Sequence, residues 1–488
     1  MRPPAPDRTT STETARQAHQ GHRAEHVARP SRQAGPAVEI LDTPNLGDRS
    51  YVVHAGGHAV VVDPQRDVDR VLAVVEEHGL RVDKVLETHL HNDYVTGGLE
   101  LARMLRADYV VPALAQVAYD RTPAADDDTF HTGDLTWRVL HTPGHTPHHV
   151  SYAVSVDGED KAVFTGGSLL LGSVGRPDLV APELTERLAH DQWRSARRLA
   201  AELDPAAAVH PTHGFGSFCS ATPTSGAAST MGDQRTANPV LVQAEDDYVR
   251  ELLAGLDAYP AYYRHMAPIN AAGPAPVDLS PPPLATADEV ARRLAAGEWV
   301  VDLRARRVHA AGHLPGSLSF EGTGNAVTYL GWLIPWGSPL TLLGDDPDVL
   351  DAVQRDLARI GIDRPAAASA AGPAAWGGER LTETTPVADF AGLAAAQRER
   401  DDVVVLDLRR RLEWEEAHVD GAVLLPLHEL PERLDEVPDG ELWVHCESGF
   451  RAAMGASLLR HAGRDVVLVD DEFGRAADAG LALVRKGS

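Results

Sequence analysis

Cys446 heads the hexapeptide Cys-Glu-Ser-Gly-Phe-Arg, directly after the apolar run Leu442-Trp443-Val444-His445. A strand that delivers a thiol into a short loop, with an arginine and a helix following, is a cradle for an anion. Loop N–H groups and a helix N-terminus favour negative charge on the sulfur and on a persulfide bound to it. Cys446 is therefore the candidate nucleophile and Arg451 the candidate cation beside it. Glu447, Ser448, Gly449 and Phe450 form the loop that would touch a substrate. Only two cysteines occur in 488 residues, so a thiol in this setting is chemically pointed. The other, Cys219, follows His213 in an apolar loop and reads as a buried free thiol.

A second constellation lies upstream. His89-Leu90-His91-Asn92-Asp93-Tyr94 follows a strand pattern, and His145 and His213 each sit in a Gly/Pro turn, Thr-Pro-Gly-His and Pro-Thr-His-Gly. Alternation along an outgoing strand brings His89 and His91 toward one point, and Asp93 reaches in from the turn. Imidazoles and a carboxylate at loop positions suit a transition metal. His148 and His149 are expected to begin the next strand, one facing the core and one solvent. His190 and Asp191, on a long helix, read either as a pair orienting a ligand or as a solvated face.

The elements that must position these groups fall into two patterns. From residue 37 to 270, short strands, paired into two strand-rich halves with helices outside, predict an αββα sandwich. Residues 271–283 hold five prolines and predict a linker. Beyond it strands and helices alternate, and the chain repeats itself. Asp302-Leu303-Arg304 recurs as Asp407-Leu408-Arg409, and His313 and Gly316 as His418 and Gly421, each pair 105 positions apart (407 − 302, 418 − 313, 421 − 316). A tandem α/β module over 284–370 and 384–488 follows, joined by an Ala/Gly-rich segment at 366–378. In the first copy Gly344 stands where the second has Cys446, and Val349 where it has Arg451. That copy is expected to be structural.

Asp407-x-Arg409, Trp414, His418-x-x-Gly421-Ala422 and the loop from Cys446 to Arg451 resemble the rhodanese family of sulfurtransferases. The resemblance implies that Cys446 carries sulfur, that Arg451 and the loop amides cradle the anion, and that Asp407 and Arg409 brace the loop. Asp470-Asp471-Glu472-Phe473 departs from the family's Gly-Gly-Phe turn. The upstream motifs, with the segments 164–167 and 175–179, resemble the metallo-β-lactamase superfamily, in its persulfide dioxygenase and glyoxalase II-like branch. That implies an α/β architecture: an N-terminal αββα sandwich holding metal between its sheets, then two rhodanese-like domains with parallel sheets. Carried over from the dioxygenases, His89 and His145 hold one iron. The segment Gly175-Arg176-Pro177-Asp178 helps bind the thiol substrate, with Arg176 placed to pair a carboxylate.

Two departures qualify this. Gly167 replaces the family's metal-binding aspartate, and Tyr94 replaces the last histidine of His-x-His-x-Asp-His. His89, His91 and His145 then remain as a mononuclear set whose donor type suits zinc as readily as iron; the resemblance to the dioxygenases favours iron(II), with zinc possible. Asp93 and His213 are left for a second ion.

The expected enzyme oxidises a low-molecular-weight thiol persulfide and passes sulfane sulfur through Cys446 to an acceptor thiol. The rival readings are a zinc thioesterase of glyoxalase II type, and a metal-free thiol- or partner-binding domain beside an active rhodanese. A net charge of −26 argues against nucleic acid and anionic membrane as partners, and no apolar run is long enough to span a bilayer. Self-association is left open. The low cysteine count suits a reducing cytoplasm. Residues 1–36, rich in Arg, Pro, Thr and Gln without an apolar stretch, are expected to be disordered.

Overall fold

A computed structural model of the chain describes residues 35–486 except 225 and 382. The expectation of disorder before residue 35 lies outside the described residues.

The first two sheets face each other. One has six strands in chain order: Ala37–Thr43, Asp48–Ala55, His58–Val62, Arg81–Leu86, Asp108–Pro112 and Thr122–Ala124. The other runs Ala208–Pro211, Glu159–Gly166, Val150–Val156, Leu135–His141, Thr129–Thr132. Tyr51, Val53, Val60 and Leu86 from the first pack on Trp137, Val139, Tyr152 and Phe164 from the second, all buried. The alternation of large apolar residues along each strand makes this layer, because every second side chain faces the partner sheet. Helices Asp69–Glu77 and Gly98–Leu105 cover one outer face; Thr185–Glu202 and Glu245–Ala254 cover the other. The result is an αββα sandwich.

Two parallel sheets follow. The first orders Leu318–Ser319, Trp299–Asp302, Leu340–Leu343 and Ala367–Ser369. The second orders Val387–Ala388, Val466–Val469, Glu441–His445, Val403–Asp407 and Val423–Leu424. The repeat seen in sequence is repeated in contacts. Arg304 donates to Asp302 at 2.6 Å and to the Gly312 carbonyl at 2.9 Å; Arg409 donates to Asp407 at 2.7 Å and to the Ala417 carbonyl at 2.7 Å. His313 Nδ1 meets the His309 carbonyl, and His418 Nδ1 the Trp414 carbonyl.

Two expectations are corrected. The helix Tyr263–Ala272 runs into the start of the predicted linker. The predicted joining segment is structured: Ala367–Ser369 completes the first parallel sheet, and Trp376 is buried against Arg304 with its indole N–H on the Gly344 carbonyl. Alanine-rich composition concealed a strand whose small side chains fit beneath covering helices.

The first α/β unit is wedged against both neighbours. Its helix Pro347–Arg359 faces the sandwich, where Arg359 pairs with Asp67 at 2.6 Å and its carbonyl accepts the Val95 N–H at 2.7 Å. One continuous apolar cluster links Tyr94, Tyr262 and Met266 of the sandwich, Leu330 and Trp332 of this unit, and Leu408 and Cys446 of the last.

Candidate functional site

The sandwich's irregular segments cross the open ends of its sheets, and five histidines meet there. His89 and His91 follow the strand Arg81–Leu86, two and four residues beyond Glu87; His145 and His149 lie after Leu135–His141 and His213 after Ala208–Pro211. Three rings are anchored through Nδ1. His89 Nδ1 lies 2.8 Å from Thr88 Oγ1, and His145 Nδ1 2.8 Å from the Arg176 carbonyl. His213 Nδ1 lies 2.9 Å from Asp48 and 3.1 Å from Asp93. Each ring thus presents Nε2 to the pocket, the way protein groups orient a metal-bound imidazole.

The Nε2 atoms of His89 and His213 are 3.2 Å apart. Two imidazoles about 2.05 Å from one tetrahedral ion would be about 3.3 Å apart. His145 Nε2 and His91 Nδ1 are buried without a hydrogen-bond partner. Orphaned donors converging with this spacing fit a metal ion.

His91 turns its other nitrogen into an acidic nook, 3.2 Å from Asp63, 3.2 Å from Glu87 and 3.0 Å from the Tyr94 hydroxyl. Burial opposes charge on His91, but Asp63 and then Glu87 outweigh it and raise it to about 9. Burial and the neighbouring His213 take His145 down to about 3. His213 is raised to about 10, because the charge of Asp93 and the bond to Asp48 exceed the cost of burial. Tyr94, standing in the place of the family's last histidine, stacks on His91, and its hydroxyl donates to the Asp63 main-chain carbonyl at 3.3 Å.

Gly167 is not a simple loss. A Cβ there would come within 2.3 Å of the His145 ring, so imidazole fills the space a carboxylate would need. The Gly167 N–H donates to His149 Nε2 at 3.0 Å. His148 accepts the Leu90 N–H at 3.0 Å, so both of these histidines serve the pocket's loops before the strand begins at Val150. His190 pairs with Glu245 across two outer helices, away from the pocket, where no ligand is oriented. Arg176 is also corrected: its guanidinium is spent on Asp178 in two 2.7 Å bonds and on the Asp257 carbonyl, beneath the Tyr259 ring. Neither Arg176 nor Asp178 is left to take a substrate carboxylate or a metal. The segment's contribution to the pocket is the Arg176 carbonyl that orients His145.

At the other end of the chain, Cys446 follows the strand Glu441–His445 and is 1% exposed. Its Sγ accepts the Ala452 N–H at 3.3 Å from the first turn of the helix Phe450–His461. Gly449 makes the turn at φ +83°, and any Cβ there would strike Asp470 Oδ1 at 2.1 Å. Phe473 N–H closes the loop on the Glu447 carbonyl at 2.8 Å, and Arg409, stacked on the Phe473 ring, lies 3.6 Å from Glu447. Glu447 is exposed, while Ser448 and Phe450 are half-buried.

Sequence reasoning missed the groups that flank this loop. Arg451 does not stand free: Glu413 grips it in two bonds of 2.7 and 2.6 Å. Burial alone would raise Glu413, but Arg451 and then Arg410 hold its carboxyl at about 2. Asp470, where the Gly-Gly-Phe turn was expected, is matched by Arg306 at 2.7 Å and by Arg307, both from the first α/β unit; Arg306 also reaches the Ser448 carbonyl. The only local signal was an acid four residues beyond Arg409 and paired arginines two beyond Arg304.

A cavity of about 530 Å³ lies where the three units meet. Arg176, Phe218 and Asp257 line it from the sandwich, Tyr329 from the first unit, and Arg410 and Glu413 from the last. The partner of Arg451 and the residue that orients His145 therefore stand on the walls of one chamber.

Of these three units, family models identify two: the sandwich is a metallo-beta-lactamase domain and the last unit a C-terminal rhodanese-like domain. The metallo-beta-lactamase superfamily model matches residues 46–213, and the rhodanese-like domain model residues 391–474, a single such match. Hydroxyacylglutathione hydrolase of Rhizobium etli is 32% identical over 173 residues, 35% of this chain and 62% of that relative. The chain thus spans about 62% of the length of the first hydrolase relatives it matches. The human mitochondrial persulfide dioxygenase ETHE1 is 26% identical over 220 residues, 45% of this chain and 78% of that protein. A crystal structure of a metallo-beta-lactamase from Staphylococcus aureus subsp. aureus COL superposes with a TM-score of 0.62 at 24% identity, covering 69% of this chain and 99% of that one. That likeness in fold exceeds the sandwich alone. Among the described residues no helix is long and apolar enough to cross a membrane.

Proposed function

We propose that this chain oxidises a low-molecular-weight thiol persulfide to sulfite in its metallo-beta-lactamase domain and transfers sulfane sulfur on Cys446. The observation that supports the reading is the chamber of about 530 Å³, with Glu413, the partner of Arg451, on one wall and Arg176, whose carbonyl orients His145, on the other. Two sites tethered in one chain meet each other's products at high effective concentration.

His89, His145 and His213, with His91 through its unpartnered Nδ1, would hold the metal. The chemistry supplied there by iron(II), the favoured ion, is activation of dioxygen, and by zinc activation of water. The oxidation balances as persulfide plus dioxygen plus water giving thiol plus sulfite. In the transfer step the Cys446 thiolate attacks the sulfane sulfur of a donor; a new S–S bond forms, the donor's S–S bond breaks, and its remaining thiolate or sulfite leaves with the electron pair. An acceptor thiolate then takes the outer sulfur and frees Cys446. The Ala452 N–H and the helix start hold the charge on sulfur throughout.

Iron-loaded protein given a persulfide donor should consume oxygen and form sulfite, and with thiosulfate and cyanide it should form thiocyanate. Thiocyanate without oxygen uptake would remove the dioxygenase half. The second reading, a zinc thioesterase, is favoured by the identity to hydroxyacylglutathione hydrolases. Stoichiometric zinc with thioester turnover would select it.

A further inference from the structure

Cys219 is placed too deliberately for a filler thiol. It is fully buried, and its Sγ, a nitrogen of His145 and a nitrogen of His213 all lie within 4.8 Å of one another. Its backbone is pinned to the same segment that orients His145: Arg176 N–H donates to the Cys219 carbonyl at 2.8 Å, while the Arg176 carbonyl holds His145 Nδ1 at 2.8 Å. Gly175 makes that approach feasible, since a Cβ would stand 2.7 Å from His145 Nδ1 and 2.5 Å from the Gly167 carbonyl. One peptide therefore fixes the imidazole and the thiol against each other.

The independent sign of a ligand is His145 Nε2. It is buried, has no hydrogen-bond partner and belongs to the ring that closes on the sulfur. Asp48 and Asp93 hold His213 Nδ1, and His213 Nε2 faces His89 Nε2 at 3.2 Å, the spacing of two imidazoles on one ion.

We propose that Cys219 is a thiolate ligand of the metal, joining His145 and His213 and supplying the anionic donor that Gly167 cannot. This rests on the metal-dependent reading of the pocket given above. A thiolate and imidazoles form a donor set suited to zinc, iron or cobalt, with the thiolate the softest member. Binding breaks the S–H bond, forms a sulfur–metal bond and releases one proton to solvent, with no change of oxidation state. The geometry also accounts for the filled space at Gly167: the negative donor enters from the loop after His213 instead of from the strand Glu159–Gly166.

The test uses cobalt(II) titrated without oxygen into metal-free, full-length Cys446→Ser protein, in which Cys219 is the only thiol. One bound equivalent should bring up a thiolate-to-cobalt charge-transfer band in the near ultraviolet. Adding Cys219→Ser should abolish the band and weaken cobalt at least about tenfold in competition with a chelator. If the double variant fails to fold by circular dichroism, the band in the Cys446→Ser protein decides alone. One equivalent of cobalt bound without the band overturns the thiolate ligand and leaves the metal-dependent reading standing. No cobalt bound overturns both.

Discussion

Replacing Glu413 by glutamine keeps the shape of the side chain and removes the charge that grips Arg451. The magnitude follows from the carboxyl's displacement from its usual 4.5 to about 2. At about 1.4 kcal/mol per pH unit this is about 3 kcal/mol, trimmed to roughly 2–3 because the side chain keeps some exposure. The sign is that of a depressed carboxyl: the pair stabilises the fold fully above about pH 5, and the contribution is lost as pH falls from 4.5 through 2. Glu413→Gln should therefore be less stable at pH 7 by that amount, a drop of about 1 M in the urea midpoint. The difference from the parent should shrink toward zero as the pH approaches 2. Pulse proteolysis of the C-terminal domain across urea at each pH reads this without requiring the whole chain to unfold in one step. Equal midpoints at pH 7, or a difference that does not change with pH, would refute the claim that the pair is an anchor. The same substitution frees Arg451 toward the loop, so the KM for an anionic donor such as thiosulfate should fall.

Cys446→Ser should abolish thiocyanate formation while leaving the circular dichroism unchanged, because the change is close to isosteric in a buried site; full transfer by the variant would move the carrier elsewhere. Gly449→Ala should cost at least about 1–3 kcal/mol, from the left-handed backbone alone, and should stall transfer, since its Cβ meets Asp470; a thermal-shift measurement and the thiocyanate assay check both parts. Replacing Arg306 and Arg307 together by alanine should lower the thermal stability of the Cys446 loop and slow transfer several-fold, although neither residue lies in the rhodanese-like domain; hydrogen exchange at Ser448 and Gly449 reads the loosening directly.

The shape of the Cys446 loop was legible because the information is local: six consecutive residues after a strand fix the turn and the helix start. The duplication was legible for the same reason, as identical residues at one offset impose identical contacts, Arg304 on Asp302 and Arg409 on Asp407. The histidines announced a shared pocket through their turn contexts. What stayed hidden depends on distant partners. Nothing near Asp48 or Asp63 signals that they hold His213 and His91, because each lies at a strand end far from its histidine in sequence. Arg176 looked like a free guanidinium because Asp178, two residues on, was taken for a second site residue instead of its partner. Cys219 looked inert because the loop that turns it toward His145 is set by a backbone bridge to Gly175, which no side-chain pattern encodes.

The paired arginines on Asp470 carry a consequence for how such a chain can change. With a carboxylate in the turn behind it, the Cys446 loop depends on cations from the first α/β unit, which has Gly344 in the thiol's place. Excising or exchanging that silent module would strand a negative charge beneath the very spot where a second one must be tolerated.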